Sequence, residues 1–239
     1  MTPGPTGARQ LPFDWGHEPS HLEDDFIAGD GNRLALAHIR AFPNWPGPLT
    51  LVEGPAKAGK SHLSRIWAER SGAHLVGAEE LESLASEAGQ GPLVIEDVDR
   101  AGYAEEPLFH LLNQAMRDGR PTLMTARDAI ANWPYRTDDL KSRARLAARF
   151  TLALTDDIQL SQMFVKLFGD RQVSVDPKII GYLVARMERS PEEAVALADL
   201  VDRLALSQGT AITRSVAAAA LAQRGVDADE LDLEGGDDE

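Results

Sequence analysis

Eight consecutive residues, Gly54-Pro55-Ala56-Lys57-Ala58-Gly59-Lys60-Ser61, match the spacing G-x-x-x-x-G-K-[ST] at every position. The spacing has a chemical cause. Glycines let the main chain curl until successive amide N–H groups point inward at phosphate oxygens. A helix opening at the end of the loop adds its positive terminus. Lys60 then reaches the β- and γ-phosphates, and the Ser61 hydroxyl is a ligand for Mg²⁺. The expected ligand is ADP or ATP with Mg²⁺. Lys57, inside the loop, reads as a solvated side chain.

Such a loop needs an acid at the end of a neighbouring strand. Glu96 and Asp97 follow Leu93-Val94-Ile95. Glu96 is expected on the Mg²⁺ side and Asp97 in position to polarise a water. Strand ends of this kind usually read Asp then Glu, and the reversed order here weakens hydrolysis while leaving binding intact. Asp99 is expected at the surface. Other chemistry has little support. The chain has no cysteine, which excludes disulfides, thiol nucleophiles and thiolate zinc sites. The six histidines lack metal-ligand spacing. Ser61 and Ser142 have no His/Asp context for nucleophilic attack. Trp15, Trp45, Trp67 and Trp133 read as packing residues.

The elements around the loop alternate. Leu49–Glu53, His74–Val76, Leu93–Val98, Pro121–Thr125 and Phe150–Leu154 read as strands. Ser61–Arg70, Glu79–Ala88 and Pro107–Asp118 read as helices, the last stopped by Gly119. This alternation implies a parallel sheet covered on both faces. Beyond Thr155 only helices follow: Asp157–Phe168, Pro177–Met187, Pro191–Leu206 and Thr213–Gln223. Pro177 and Pro191 sit in first turns, and Thr213 is an N-cap. The predicted organisation is a flexible arm over 1–21, an α/β nucleotide-binding domain over 22–156, a small all-α lid over 157–224 and an acidic tail over 225–239.

The net charge is -14 over 239 residues. It opposes broad attraction to DNA or anionic membranes. No apolar run is long enough to span a bilayer, and the first residues lack a secretion signal. The expected location is the cytoplasm, with no membrane partner.

Several strings resemble the DnaA clade of AAA+ proteins over about residues 22–222. Gly59-Lys60-Ser61-His62-Leu63 resembles its phosphate loop, which adds His62 to the nucleotide site. Phe26 to Ala35 resembles its leading segment, a strand followed by an Asn-initiated helix near the adenine. Leu140-Lys141-Ser142-Arg143 resembles its arginine-finger segment, and Ile212-Thr213-Arg214 the start of its last lid helix. Two features depart from the clade. Arg127 stands where the clade carries an acid after the sensor-1 strand, Leu123 to Ala126, in which Thr125 reads as an ordinary strand residue. Glu192 stands where the sensor-2 arginine is expected, with Arg189 as a substitute in a shifted register. A glutamate near a γ-phosphate repels it, which favours ADP.

Within the clade the chain resembles the Hda-type regulators. Past Gln223 it reads only as an acidic tail, with no helix-turn-helix, and Gln10-Leu11-Pro12-Phe13 resembles their sliding-clamp-binding peptide. The resemblance implies regulatory inactivation of the initiator DnaA. A nucleotide-bound protein is tethered to the DNA polymerase III sliding clamp, touches DNA only through it, and places Arg143 as a finger in trans at the nucleotide of DnaA. Arg145 is the next finger candidate. The arginines from Arg136 to Arg149 form the one local basic patch, expected at a subunit interface. An autonomous ATPase and a helicase-loader-type protein are the competing readings, and homo-oligomerisation is left open. For the arm, the double change Gln10→Ala, Leu11→Ala is expected to abolish retention of the protein on immobilised sliding clamp; undiminished retention would refute the peptide's role.

Overall fold

The computed structural model describes residues 23–86, 89, 91–100, 102–153 and 156–225. The proposed clamp peptide Gln10–Phe13 and nearly all of the acidic tail lie outside them.

Five strands form one parallel sheet: β1 (Leu49–Glu53), β2 (His74–Leu75), β3 (Leu93–Ile95), β4 (Thr122–Ala126) and β5 (Ala148–Thr151), in the order β2-β3-β4-β1-β5. Every residue of β1 and β4 is buried, as expected of central strands covered on both faces. Side chains alternate between two cores with period two. Leu51, Ile95 and Met124 join one cluster, under α4 (Glu105–Asp118) and α5 (Asp138–Ala144). Val52, Val94 and Leu123 join the other, under α1 (Arg33–Arg40) and α2 (Lys60–Ser71). The register aligns Leu51 with Met124, and Met124 with Ile95, so the ends of β1, β3 and β4 come out together at one edge.

The strand boundaries differ from the sequence reading by one residue at β2 and β4 and by more at β3 and β5. β3 stops at Ile95, and Glu96–Arg100 form a turn instead of extending the strand. The Tyr135 hydroxyl donates to Val98 O and braces that turn. β5 runs Ala148–Thr151, starting two residues and ending three residues before the predicted Phe150–Leu154. The resemblance implied a strand near Phe26, and none forms there. Instead the Asn32 side chain ties the segment together, accepting from Gly29 N (2.9 Å) and donating to Ile27 O (2.8 Å).

α3 (Leu81–Ser86) covers the β2 edge. Four helices follow the sheet: α6 (Asp157–Asp170), α7 (Pro177–Val184), α8 (Pro191–Gln208) and α9 (Arg214–Gln223). They share their own core around Phe164, Phe168, Leu197 and Val201. Their starts follow helix chemistry. Asp156, Asp176, Ser190 and Thr213 each accept a hydrogen bond from an amide of the first turn, and Pro177 and Pro191 occupy first-turn positions. Arg224 donates to Glu193, tying the end of α9 to the start of α8.

An aromatic stack joins α1, α2 and β5. His38 stacks on Trp45 (4.6 Å between centroids) and lies 4.5 Å from Phe150, while Trp45 stacks on buried Trp67. The Nε2 of His38 is 2.8 Å from Thr50 Oγ1. Burial lowers the His38 pKa below its ordinary value of 6.5. The unfolded chain therefore holds the proton more tightly, and stability falls as pH drops below that value. Thermal melts from about pH 7.5 to about pH 5.5 are expected to show a smaller loss in His38→Gln than in the wild type; an equal loss would place the acid sensitivity elsewhere.

Candidate functional site

The segment between β1 and α2 turns sharply because two glycines allow it. A Cβ on Gly54 would lie 2.6 Å from the Leu152 carbonyl oxygen, so only glycine fits beside β5. Gly59 adopts a left-handed conformation (φ +96°) at the start of α2. Lys57 is also left-handed, at φ +61°, and exposed. The Lys60 side chain is 6% exposed, and its ammonium donates to Gly54 O and Pro55 O, both at 2.7 Å. Burial lowers its pKa; Asp97 and Asp99 oppose the shift, and Arg127 reinforces it.

A cavity of about 460 Å³ opens beside this loop. One wall is the loop itself, from Ala56 to His62. A second is Phe26, Ile27 and Asn32. The third is α6, through Gln159, Met163 and Lys166. Asp97 and Arg127 stand at the loop end. Phe26 meets the His62 ring edge-on, with centroids 5.2 Å apart.

The two adjacent acids go to different places. Asp97 lines the cavity with Lys60 and Ser61. It sits at φ +46°, held by a bond from its amide to Thr125 Oγ1 (2.9 Å), and its carboxylate is 3.6 Å from the Arg127 guanidinium. Glu96 accepts from Ser64 Oγ, one turn into α2 beyond Ser61. Among the described residues no group of three His, Asp or Glu side chains is arranged to hold a metal ion.

Asp99 corrects its predicted surface placement. It is 5% exposed, and its Oδ2 accepts from the amides of Arg127 (2.9 Å) and Asp128 (2.8 Å). It thus fastens the end of β4 to the turn after β3 and fixes where the Arg127 side chain starts.

A second cavity, of about 610 Å³, lies on the other side of the loop, with Glu53, Gly54, Pro55, Arg127, Arg149 and Glu192 among its walls. Glu192, the residue at the expected sensor-2 position, therefore faces the phosphate loop. Arg189 instead pairs with Asp157 at 3.1 Å. The predicted arginine patch is not one open cluster, because Arg149 donates to buried Glu53 (2.8 Å). Arg143 is half-buried on α5, and its side chain has no hydrogen bond or ion pair among the described residues.

The fit to a nucleotide rests on three features. The loop has no room for a side chain at Gly54, a buried cation stands at its mouth, and an amide on α6 is buried without partners. Gln159 is 2% exposed, and neither its Oε1 nor its Nε2 has a hydrogen-bond partner among the described residues. The sequence reading missed this α6 wall. Gln159 stands three residues after the capping Asp156, where a Gln ordinarily reads as half of a capping box.

The fold, a five-stranded parallel sheet followed by four helices, has the architecture of AAA+ domains. Comparison with solved structures agrees. The chain is similar to domain III of the Thermotoga maritima replication initiation protein DnaA, with TM-score 0.70 and 14% identity over 86% of this chain and 97% of that one. It is also similar to the Thermotoga maritima RuvB Holliday junction branch migration motor (0.66, 18%, 85% and 72%) and to AMPPCP-bound DnaA from Aquifex aeolicus (0.61, 18%, 81% and 68%). No protein-family model matches the chain, and no curated protein matches it in sequence.

Asp99→Ala is expected to lower stability by about 1–3 kcal/mol, because two amides lose a charged acceptor. Asp99→Asn, which keeps an acceptor oxygen, should lose less. Equal denaturant midpoints for wild type and Asp99→Ala would show that the fastening is dispensable.

Proposed function

We propose that this chain is an adenine-nucleotide-bound regulator of a DnaA-type ATPase, and that it holds its own nucleotide with little turnover. The observation that carries this reading is the 3.6 Å approach of Arg127 to Asp97. The pair sets a cation beside the acid that would orient an attacking water, so that acid does not face the water alone. The Arg127 guanidinium also stands at the loop end of the cavity, where it can neutralise phosphate charge. Binding is thereby favoured over hydrolysis. Glu192, facing the loop from the other side, disfavours a third phosphate and inclines the site to ADP.

A bound nucleotide would supply phosphate charge, and Mg²⁺ would help to neutralise it. In this chain Gly54 to His62 would hold the phosphates. Ser61 would be a metal ligand. Asp97, which lines the cavity, suits the acid beside the metal better than Glu96, which is committed to Ser64.

The regulatory half of the proposal belongs to Arg143. The DnaA-like fold supports an assembly of like with like, in which α5 of this chain meets the nucleotide of a DnaA subunit. A guanidinium suits that role because transition-state charge spreads over the phosphoryl oxygens, and such fingers contribute on the order of 10³–10⁵ in rate. Gln10–Phe13 would hold the protein to the sliding clamp, which brings it to DNA indirectly. The arm over 1–21, the α/β domain over 22–156, the lid over 157–224 and the tail over 225–239 would divide these tasks.

Arg143→Ala is expected to retain ADP affinity, measured by calorimetry, and to lose stimulation of DnaA ATP hydrolysis on clamp-loaded DNA. Persistent stimulation would move the finger elsewhere, with Arg145 next. Rapid ATP consumption by the wild-type protein alone would overturn the regulatory reading in favour of an autonomous ATPase.

A further inference from the structure

Asp25, Phe26, Ile27 and Asn32 line one side of the 460 Å³ cavity. Phe26 to Gly29 belong to no helix or strand, so no ladder of backbone bonds fixes their place. Side chains at the two ends of the segment do the holding. Downstream, the Asn32 amide bonds Gly29 N and Ile27 O. Upstream, the Glu23 carboxylate is divided between two helices. Its Oε1 accepts from Arg40 Nε at 2.7 Å, and its Oε2 accepts from Arg70 Nη1 at 2.9 Å.

Arg40 stands in the last turn of α1 and Arg70 in the last turn of α2. A helix C-terminus disfavours an anion, so Glu23 depends on these two guanidinium groups for its place. The hydrogen bond from Arg40 is the largest cause of a carboxyl pKa below its ordinary value of 4.5. Phe26 N donates to Glu23 O at 3.1 Å, which passes the hold on to the first aromatic residue of the wall. The Phe26 ring meets His62 edge-on and lies 3.4 Å from where a Cβ on Gly59 would stand. A single turn of chain thus joins the last turns of α1 and α2 to the phosphate loop.

Glu23 is not among the residues that line the cavity. Its partner Arg70 lies ten residues from Lys60 on α2, about 15 Å along the helix. Any effect of Glu23 on a ligand must therefore pass through Phe26. We infer that Glu23 is a positioning residue: it latches the Phe26 wall against the phosphate loop and so sets how long a bound nucleotide stays. The inference rests on the nucleotide reading proposed above. Each of the two ion pairs is partly exposed and weak alone. Both ties are lost together when the one carboxylate is removed. The phosphate end is held separately, by the glycine turns and the Lys60 bonds to Gly54 O and Pro55 O.

The test follows release of ADP carrying a fluorescent ribose label by stopped flow, alongside pyrophosphate affinity by calorimetry. Glu23→Ala is expected to release the labelled ADP about fivefold faster than wild type, the scale of two weak ion pairs. Its pyrophosphate affinity should be unchanged. Arg70→Ala should also speed release. The double variant should release no faster than Glu23→Ala, because the tie to Arg70 is already gone. Unchanged release in Glu23→Ala would overturn the inference. So would an equal loss of pyrophosphate affinity, which would make Glu23 a general support of the fold. Additive effects of Glu23→Ala and Arg70→Ala would show that the two residues act apart, and would overturn it too. If wild type binds neither ADP nor pyrophosphate, the nucleotide reading itself fails and the latch falls with it.

Discussion

The site depends on a backbone constraint at Gly54. The Leu152 carbonyl oxygen stands 2.6 Å from where a Cβ would be, so the chain leaving β1 can turn only if that residue has no side chain. β1 is pinned on both sides, by β4 and β5. Leu152 N donates to Glu53 O and Gly54 N donates to Ala126 O, which closes the end of the strand. The loop therefore springs from the best-held strand of the sheet. It delivers Lys60 beside the turn after β3 and the end of β4, the crevice where parallel α/β sheets bind ligands.

Charge in that crevice is balanced locally despite the chain's overall excess of acid. Asp97 faces Arg127, Glu53 faces Arg149, and Lys60 lies within the influence of Asp97, Asp99 and Glu192. Asp99 holds the arrangement in place through main-chain amides, so the geometry around the phosphate end does not depend on exposed ion pairs, which are individually weak.

Much of this was legible in the residues. Buried central strands read as apolar runs, and the loop motif, the helix-opening prolines and Thr213 each announce a local conformation whatever surrounds them. The limits were tertiary. Glu96 and Asp97 are neighbours in sequence, but a left-handed residue at Asp97 sends the two carboxylates to different partners, and strand periodicity carries no sign of that. Asp99 looked solvent-exposed because its partners, the amides of Arg127 and Asp128, are main-chain groups with no side-chain signature. Gln159 drew no notice in the sequence, because its burial against Gly29 comes from a segment about 130 residues earlier. The missing strand near Phe26 has a similar cause, because Asn32 spends its amide on a local loop.

That overlying segment has a mechanical meaning. Lys166 donates to Asp25 O, Gly29 abuts Gln159, and Ala153 N donates to Gly31 O. Residues 25–31 are thus laced to α6 and to the connector that leads into it. Rotation of the helical bundle against the sheet must drag this strap or break its lacing.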